Sequence, residues 1–166
     1  MRSPWEAVLA PAILLAAVGG CVDAVGFLVL AGLFIAHQSG NTTSFAVALG
    51  QGEWWQVLRH GFVIPVFVIA TAAGVVALES ASAERDQARR RRRLLLVEAF
   101  LLALFGVAAA LARRDESLRA NDAAYYAVGA VVASAMGLQN ALLRKVGDQT
   151  VHTTFITGML TTMAAG

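Results

Sequence analysis

The chain has 166 residues, of which 58% fall in the hydrophobic set and 14% are charged, with a net charge of +2 and a mean hydropathy of +0.65. A soluble domain of this size carries about 25% charged residues, so a water-wettable globule is excluded and the class is integral membrane protein. The basic balance does not point to nucleic acid, because the arginines cluster where membrane-orientation rules account for them and no basic–aromatic interleaving occurs in a soluble stretch.

A spanning helix needs roughly 20 mostly apolar residues. The first such segment is residues 8–30, with Trp5 as an aromatic anchor just before it and Pro11 in its first turn. It carries one acid, Asp23, and the single cysteine, Cys21, which has no partner for a disulfide and no metal-ligand spacing around it. Residues 34–51 form a weaker segment that opens on His37, Gln38, Ser39, Gly40 and Asn41. It either crosses fully inside the bundle or is a broken, re-entrant piece, since polar backbone at membrane depth needs protein or a wet cavity around it.

Gly52 to Gln56 reads as an interfacial turn with Trp54 and Trp55 at headgroup level. A third span covers residues 61–78, with a kink or early break expected at Pro65. Residues 79–93 read as a basic loop holding Arg85, Arg89, Arg90, Arg91, Arg92 and Arg93; the positive-inside bias places it in the cytoplasm, and its charge suits anionic lipid. A fourth, linking span follows at 94–112, where Glu98 is expected to snorkel or pair with nearby arginines. A mixed-charge loop at 113–122 leads to a fifth span at 123–143. The turn Arg144 to Asp148 and a sixth segment from Val151 close the chain.

Two stretches echo each other. Ala16, Gly20 and Ala24 correspond to Ala133, Gly137 and Ala141; Asp23 corresponds to Asn140, Ser39-Gly40 to Thr157-Gly158, and Thr43-Ser44 to Thr161-Thr162. This order of matches predicts an internal repeat, 8–78 and an incomplete 123–166, within one membrane domain. The third span then has no counterpart, which leaves a fragment, a degenerate copy or a homo-oligomer as ways to read the ending. Full crossing by 34–51 makes the copies parallel with the N-terminus outside; a re-entrant 34–51 makes them inverted with Arg2 inside. The match to the sixth segment favours the parallel arrangement and Arg2 the inverted one; the balance leans to the parallel arrangement, and both stay open. The fold class is therefore an all-α, polytopic transmembrane helical bundle of about six segments with polar motifs at mid-membrane.

The motifs Gly20-x-x-Asp23-Ala24-x-x-Phe27, Ser39-Gly40-Asn41-Thr42, Gly137-Leu138-Gln139-Asn140-Ala141 and Thr154-x-x-Thr157-Gly158 resemble the YoaK-like family of bacterial multi-pass inner-membrane proteins, a domain of unknown function. The resemblance covers nearly the whole chain and implies a bacterial inner-membrane location, with no substrate or reaction. Family members continue beyond the Thr-Gly motif, so by this comparison the chain is C-terminally truncated.

Asp23 is the sharpest candidate. A carboxylate in a spanning helix costs about 2.5–3.5 kcal/mol on insertion scales, so it faces a partner or water. It reads as a proton or cation site, or as a hydrogen bond locking two helices. Ser39, Gly40, Asn41, Thr157 and Gly158 either open helices around an ion or solute or pack helices closely. Gln38, Gln139 and Asn140 complete the polar lining of a substrate or ion site. The stripes Ala16/Gly20/Ala24 and Gly129/Ala133/Gly137/Ala141 each line one helix face and are expected to meet, bringing Asp23 and Asn140 together. His37 and His152 do not align in the repeat, and no metal site is expected. Phosphate loops, nucleophile elbows and His-Glu-x-x-His pairs are missing, so neither an enzyme nor a cofactor is implied. The functional expectation is a small-solute or ion transporter in the lipid bilayer; the alternative is a non-transporting assembly protein whose polar residues only join helices.

Overall fold

The computed structural model describes residues 4–80, 84–115, 118, 122–146 and 149–150. Within them the chain forms α1 (Pro4–Val29), α2 (Gln38–Gln51), α3 (Trp54–Gly61), α4 (Val63–Glu79), α5 (Glu84–Asp115) and α6 (Ala123–Arg144). The turn after α6 pairs β1 (Lys145–Val146) with β2 (Gln149–Thr150) as a minimal antiparallel hairpin, Lys145 opposite Thr150 and Val146 opposite Gln149. By length and composition, Trp54–Glu79, Arg85–Ala112 and Ala123–Leu143 can each cross a membrane, and Ile13–Val29 is a shorter apolar helix. The outer surfaces fit that environment: Leu28, Ile69, Val76, Leu96, Phe100 and Val107 are all more than 45% exposed, an apolar exterior that water would not tolerate. The sixth expected segment, with Thr157, Gly158 and His152, lies outside the described residues.

The core is built around α6. Tyr125, Val132, Ala133 and Met136 are fully enclosed and pack with Leu30, Leu33, Ile35, Val63, Phe105 and Ala109. Gly129, Ala133, Gly137 and Ala141 are buried as expected, but they do not meet α1's stripe. They meet α4. A methyl group at Gly137 would stand 2.7 Å from the Phe67 carbonyl oxygen and 2.8 Å from Ala70 Cβ, and one at Gly74 would stand 2.7 Å from Ala141 Cβ. Thr71 Oγ1 donates to the Gly137 carbonyl at 3.1 Å across the same contact. Small residues let the two backbones touch, as membrane helices require for tight packing.

The α1 stripe is a correction. Ala16, Gly20 and Ala24 are exposed, and a methyl at Gly20 would meet nothing within 4 Å. The buried side of α1 carries Gly19, Val22, Asp23 and Gly26 instead. Burying the acid turns the adjacent small-residue stripe outward. The N-terminal boundary also moves: the helix opens at Pro4, a residue suited to the first helical position because its missing N–H is not needed there. Trp5 and Pro11 therefore lie within α1 rather than before it and in its first turn.

The contacts set the helix directions. Phe62 packs at Gly129, Ala70 at Gly137 and Gly74 at Ala141, so α4 runs parallel to α6. Tyr125 Oη donates to the Leu30 carbonyl at 3.1 Å and Gln139 Nε2 to the Leu15 carbonyl at 3.0 Å, so α1 runs antiparallel to α6, and hence to α4. Leu30 and Phe62, the two ends of the intervening stretch, both lie beside Tyr125.

Segment 34–51 consequently enters and leaves at one end of the bundle, the re-entrant course of the two weighed for it rather than the full crossing. Its helix, α2, has 14 residues, about 21 Å at 1.5 Å per residue, short of the ~30 Å hydrocarbon layer. It ends at Gly52, whose left-handed φ of 74° lets its N–H reach the Ala48 and Leu49 carbonyls. The turn is confined to Gly52 and Glu53. Trp54, Trp55 and Gln56 already belong to α3, which packs back on α2 with the Phe45 ring against Gly61. At Phe62, between α3 and α4, the backbone keeps helical angles (φ −67°, ψ −31°) and its N–H bonds to the Leu58 carbonyl at 3.1 Å, so Trp54–Glu79 runs on as one helix through the region where a break near Pro65 was expected.

The basic stretch is helical rather than looped. Residues from Glu84 onward extend α5 by several turns ahead of its apolar part, because arginine is a good helix former and Glu84 and Asp86 favour the positive helix start. Arg90 folds back on α4, donating to the Ala77 carbonyl at 2.8 Å and to Ser80 Oγ at 2.6 Å. It thereby satisfies a carbonyl left open at that helix end.

Candidate functional site

Between α1 and α2 the backbone leaves helical geometry and doubles back along α1. Ala31 and Gly32 take left-handed φ values of 50° and 85°, and the Gly32 N–H closes the turn on the Phe27 carbonyl at 2.9 Å. Residues 33–37 then run inward: Leu33 lies near Gly129, Ile35 against Gly26, and Ala36 against Gly19. Gly26 is glycine for a reason, since a methyl there would stand 2.8 Å from the Ile35 side chain and 3.2 Å from the Leu33 carbonyl oxygen.

A buried non-helical strand exposes backbone groups that neither helix nor sheet can pair, each costly to leave open. Side chains of the polar motif pair them. Asp23, 7% exposed, accepts from the Ile35 and Ala36 N–H groups through Oδ1, both at 2.6 Å, and pairs through Oδ2 with His37 Nδ1. Asn41, fully buried, grips both sides of one residue: the Phe34 N–H donates to Oδ1 at 3.1 Å, while Nδ2 donates to the Phe34 carbonyl. Nδ2 also reaches Gln38 Oε1 at 3.2 Å, and Gln38 Nε2 donates to the Ile35 carbonyl at 2.8 Å. Tyr125 closes the outer end at the Leu30 carbonyl. Gly40 completes the clasp by absence: a methyl there would sit 2.7 Å from the Phe34 ring.

The deep end of this segment opens toward α6. Gln139 is 4% exposed; its Nε2 bonds to the Leu15 carbonyl of α1, and its Oε1 lies 3.8 Å from where a Gly19 methyl would stand. Gly19 thus adjoins both Ala36 and Gln139. At this level α2 begins, with His37 as its half-exposed N-cap and no side chain capping its first amides. Asn140 is partly buried and engaged in an interaction of its own.

The sequence-derived site residues therefore divide. Asp23, Gln38 and Asn41 come together, Gln139 stands next to them across Gly19, and Gly40 supports them by packing. Ser39 is exposed, and Thr42 and Thr43 bond to the Gln38 and Ser39 carbonyls of their own helix at 2.9 and 3.0 Å. Among the described residues no three His, Cys, Asp or Glu side chains converge as a metal cluster would need. Sequence reading missed His37 as the partner of Asp23 and missed Tyr125 altogether. The usable signal was the polar run His37 to Asn41 directly after an Ala31-Gly32 turn, the composition of a segment that must supply its own hydrogen bonds.

Comparison with curated proteins and with solved structures found no match. The family pattern for proteins of unknown function designated DUF1275 matches residues 11–166, a range that takes in the in-turned segment, α6 and the motifs on both. The chain belongs to the DUF1275 family.

Proposed function

We propose that this chain is a small-solute or ion transporter of a bacterial inner membrane, with the arginine-rich start of α5 on the cytoplasmic side. One observation carries the reading: the chain turns inward after Leu30, so that Ala36, just ahead of the half-helix α2, lies against Gly19, which also adjoins Gln139. Broken helices whose N-terminal amides point into the protein interior are the feature that transporter folds use to bind ions and polar solutes. Such a segment is dispensable for merely joining helices. In this reading Asp23 and Asn41 hold the broken segment, whereas Gln139, Asn140 and the open first turn of α2 provide the solute-facing groups. The antiparallel course of α1 and α6 makes the two motif-bearing halves an inverted pair, and one half rocks against the other.

The assembly-protein reading keeps one specific observation on its side. Both oxygens of Asp23 are used inside the chain, as in a group that only joins helices. A stability screen separates the two. Purified protein in detergent is heated with amino acids, sugars, nucleosides, and monovalent cations and anions, each class in turn. The transporter reading expects one class to raise the unfolding temperature, and a ligand at a hundred times its dissociation constant adds about 2.7 kcal/mol. Gln139→Ala should abolish that shift while leaving the protein folded. No shift from any class, with the fold intact, favours assembly.

A further inference from the structure

Glu98 interrupts the apolar part of α5, with Leu94 to Val97 before it and Ala99 to Ala112 after it. It is only 3% exposed, and its Oε2 is buried with no hydrogen-bond partner. The expected snorkelling to the surface or pairing with arginines does not describe this atom. Arg90 is turned onto Ala77 and Ser80, and Arg89, Arg92 and Arg93 are exposed. On α5, Glu98 shares its face with Leu102, Phe105 and Ala109, which belong to the same packed core as Val132 and Met136 of α6.

Among the described residues, the elements around α5 offer no counter-charge at this depth. From α6 the titratable or charged groups are Tyr125, bonded to the Leu30 carbonyl, Tyr126, and Arg144 at the helix end. α4 presents none between Val63 and Leu78, and Glu79 is its last residue. From α1 come Asp23, turned onto the in-turned segment, exposed Cys21, and Glu6 near its start. An unpaired ionised carboxylate in such surroundings costs several kcal/mol. A divalent cation would demand six or more oxygens, and among the described residues Glu98 belongs to no group of three or more His, Cys, Asp or Glu side chains. A proton needs one oxygen and removes the charge.

We infer that Glu98 is a proton-binding site inside the α4–α5–α6 bundle, a carboxyl that holds its proton at neutral pH. The site is separate from the Asp23 clasp and stands whether or not the chain transports a solute.

Dicyclohexylcarbodiimide, an apolar reagent that consumes protonated carboxyl groups, tests this on the full chain in detergent, with adducts mapped by peptide mass spectrometry. At neutral pH the expected yield at Glu98 exceeds that at Glu53 and Glu79 by about tenfold or more, the factor that one unit of preferential protonation gives. The yield should fall as the pH is raised and persist in Asp23→Asn. An infrared carbonyl band of a protonated carboxyl should be present in the native chain and lost in Glu98→Gln, which should fold normally as the neutral isostere. Glu98 labelled no more than Glu53 and Glu79 in the folded chain, yet labelled readily in acidified, unfolded chain, overturns the inference.

Discussion

Asp23→Ala should lower the stability of the folded protein by about 2–6 kcal/mol, because the Ile35 and Ala36 N–H groups lose their acceptor together and each orphaned buried group costs about 1–3 kcal/mol. Asn41→Ala should cost a similar amount, since it strips both the N–H and the carbonyl of Phe34. Asp23→Asn is the informative contrast. An amide oxygen can still accept from Ile35 and Ala36, so less than half of the loss is expected. Equilibrium unfolding in mixed detergent micelles measures all three. An Asp23→Ala chain as stable as the parent would mean that the carboxylate does not hold the in-turned segment, and its place as a solute ligand would return.

Gly137→Val should be the most damaging single change on α6. The added Cβ meets backbone, with the Phe67 carbonyl oxygen at 2.7 Å and the Thr71 nitrogen at 3.1 Å, so no rotamer change in a neighbour relieves it. Overpacking of this kind costs about 1–3 kcal/mol and occasionally more, and here it also pulls apart the bond from Thr71 to Gly137. Gly20→Ala is the matched control: nothing lies within 4 Å of its new methyl, and alanine is the better helix former. Its stability should equal or slightly exceed that of the parent. If both substitutions cost the same, the two small-residue stripes are equivalent after all, and α1 packs through the face assigned to it by spacing alone.

The membrane class, the apolar helices and the importance of Asp23, Gln38, Asn41 and Gln139 were all legible in the residues. Composition decides the first, since no soluble core accounts for so much apolar surface. Rarity decides the rest, since a polar group in an apolar run must have a partner. The identity of each partner was not legible. Asp23 binds backbone twelve and thirteen residues ahead, a pairing that depends on the chain doubling back, and no periodicity records a reversal. The packing faces were half legible for the same kind of reason. Gly129, Gly137 and Ala141 form a true contact stripe, but spacing cannot say that the partner is Ala70 and Gly74 on α4. On α1 two candidate stripes, through Gly20 and through Gly19 and Gly26, sit side by side, and only the demand to bury Asp23 selects the second. The arginine run misled in the opposite direction: charge density suggested a loop, while helix propensity and acidic residues at the start made it the first turns of α5.

Residues 30–51 enter and leave the bundle at one end, so that α1 and α4 run in opposite directions. Site-directed labelling reads this course from the two sides of the membrane. In a Cys21→Ala background, single cysteines at Ser3, Gln51, Ser82 and Asp122 are exposed to a membrane-impermeant maleimide in sealed vesicles of each orientation. Ser3→Cys is expected to label from the same side as Ser82→Cys, and Gln51→Cys from the same side as Asp122→Cys. Labelling of Ser3→Cys from the side of Asp122→Cys would mean that 34–51 crosses the membrane and that α1 and α4 run in the same direction.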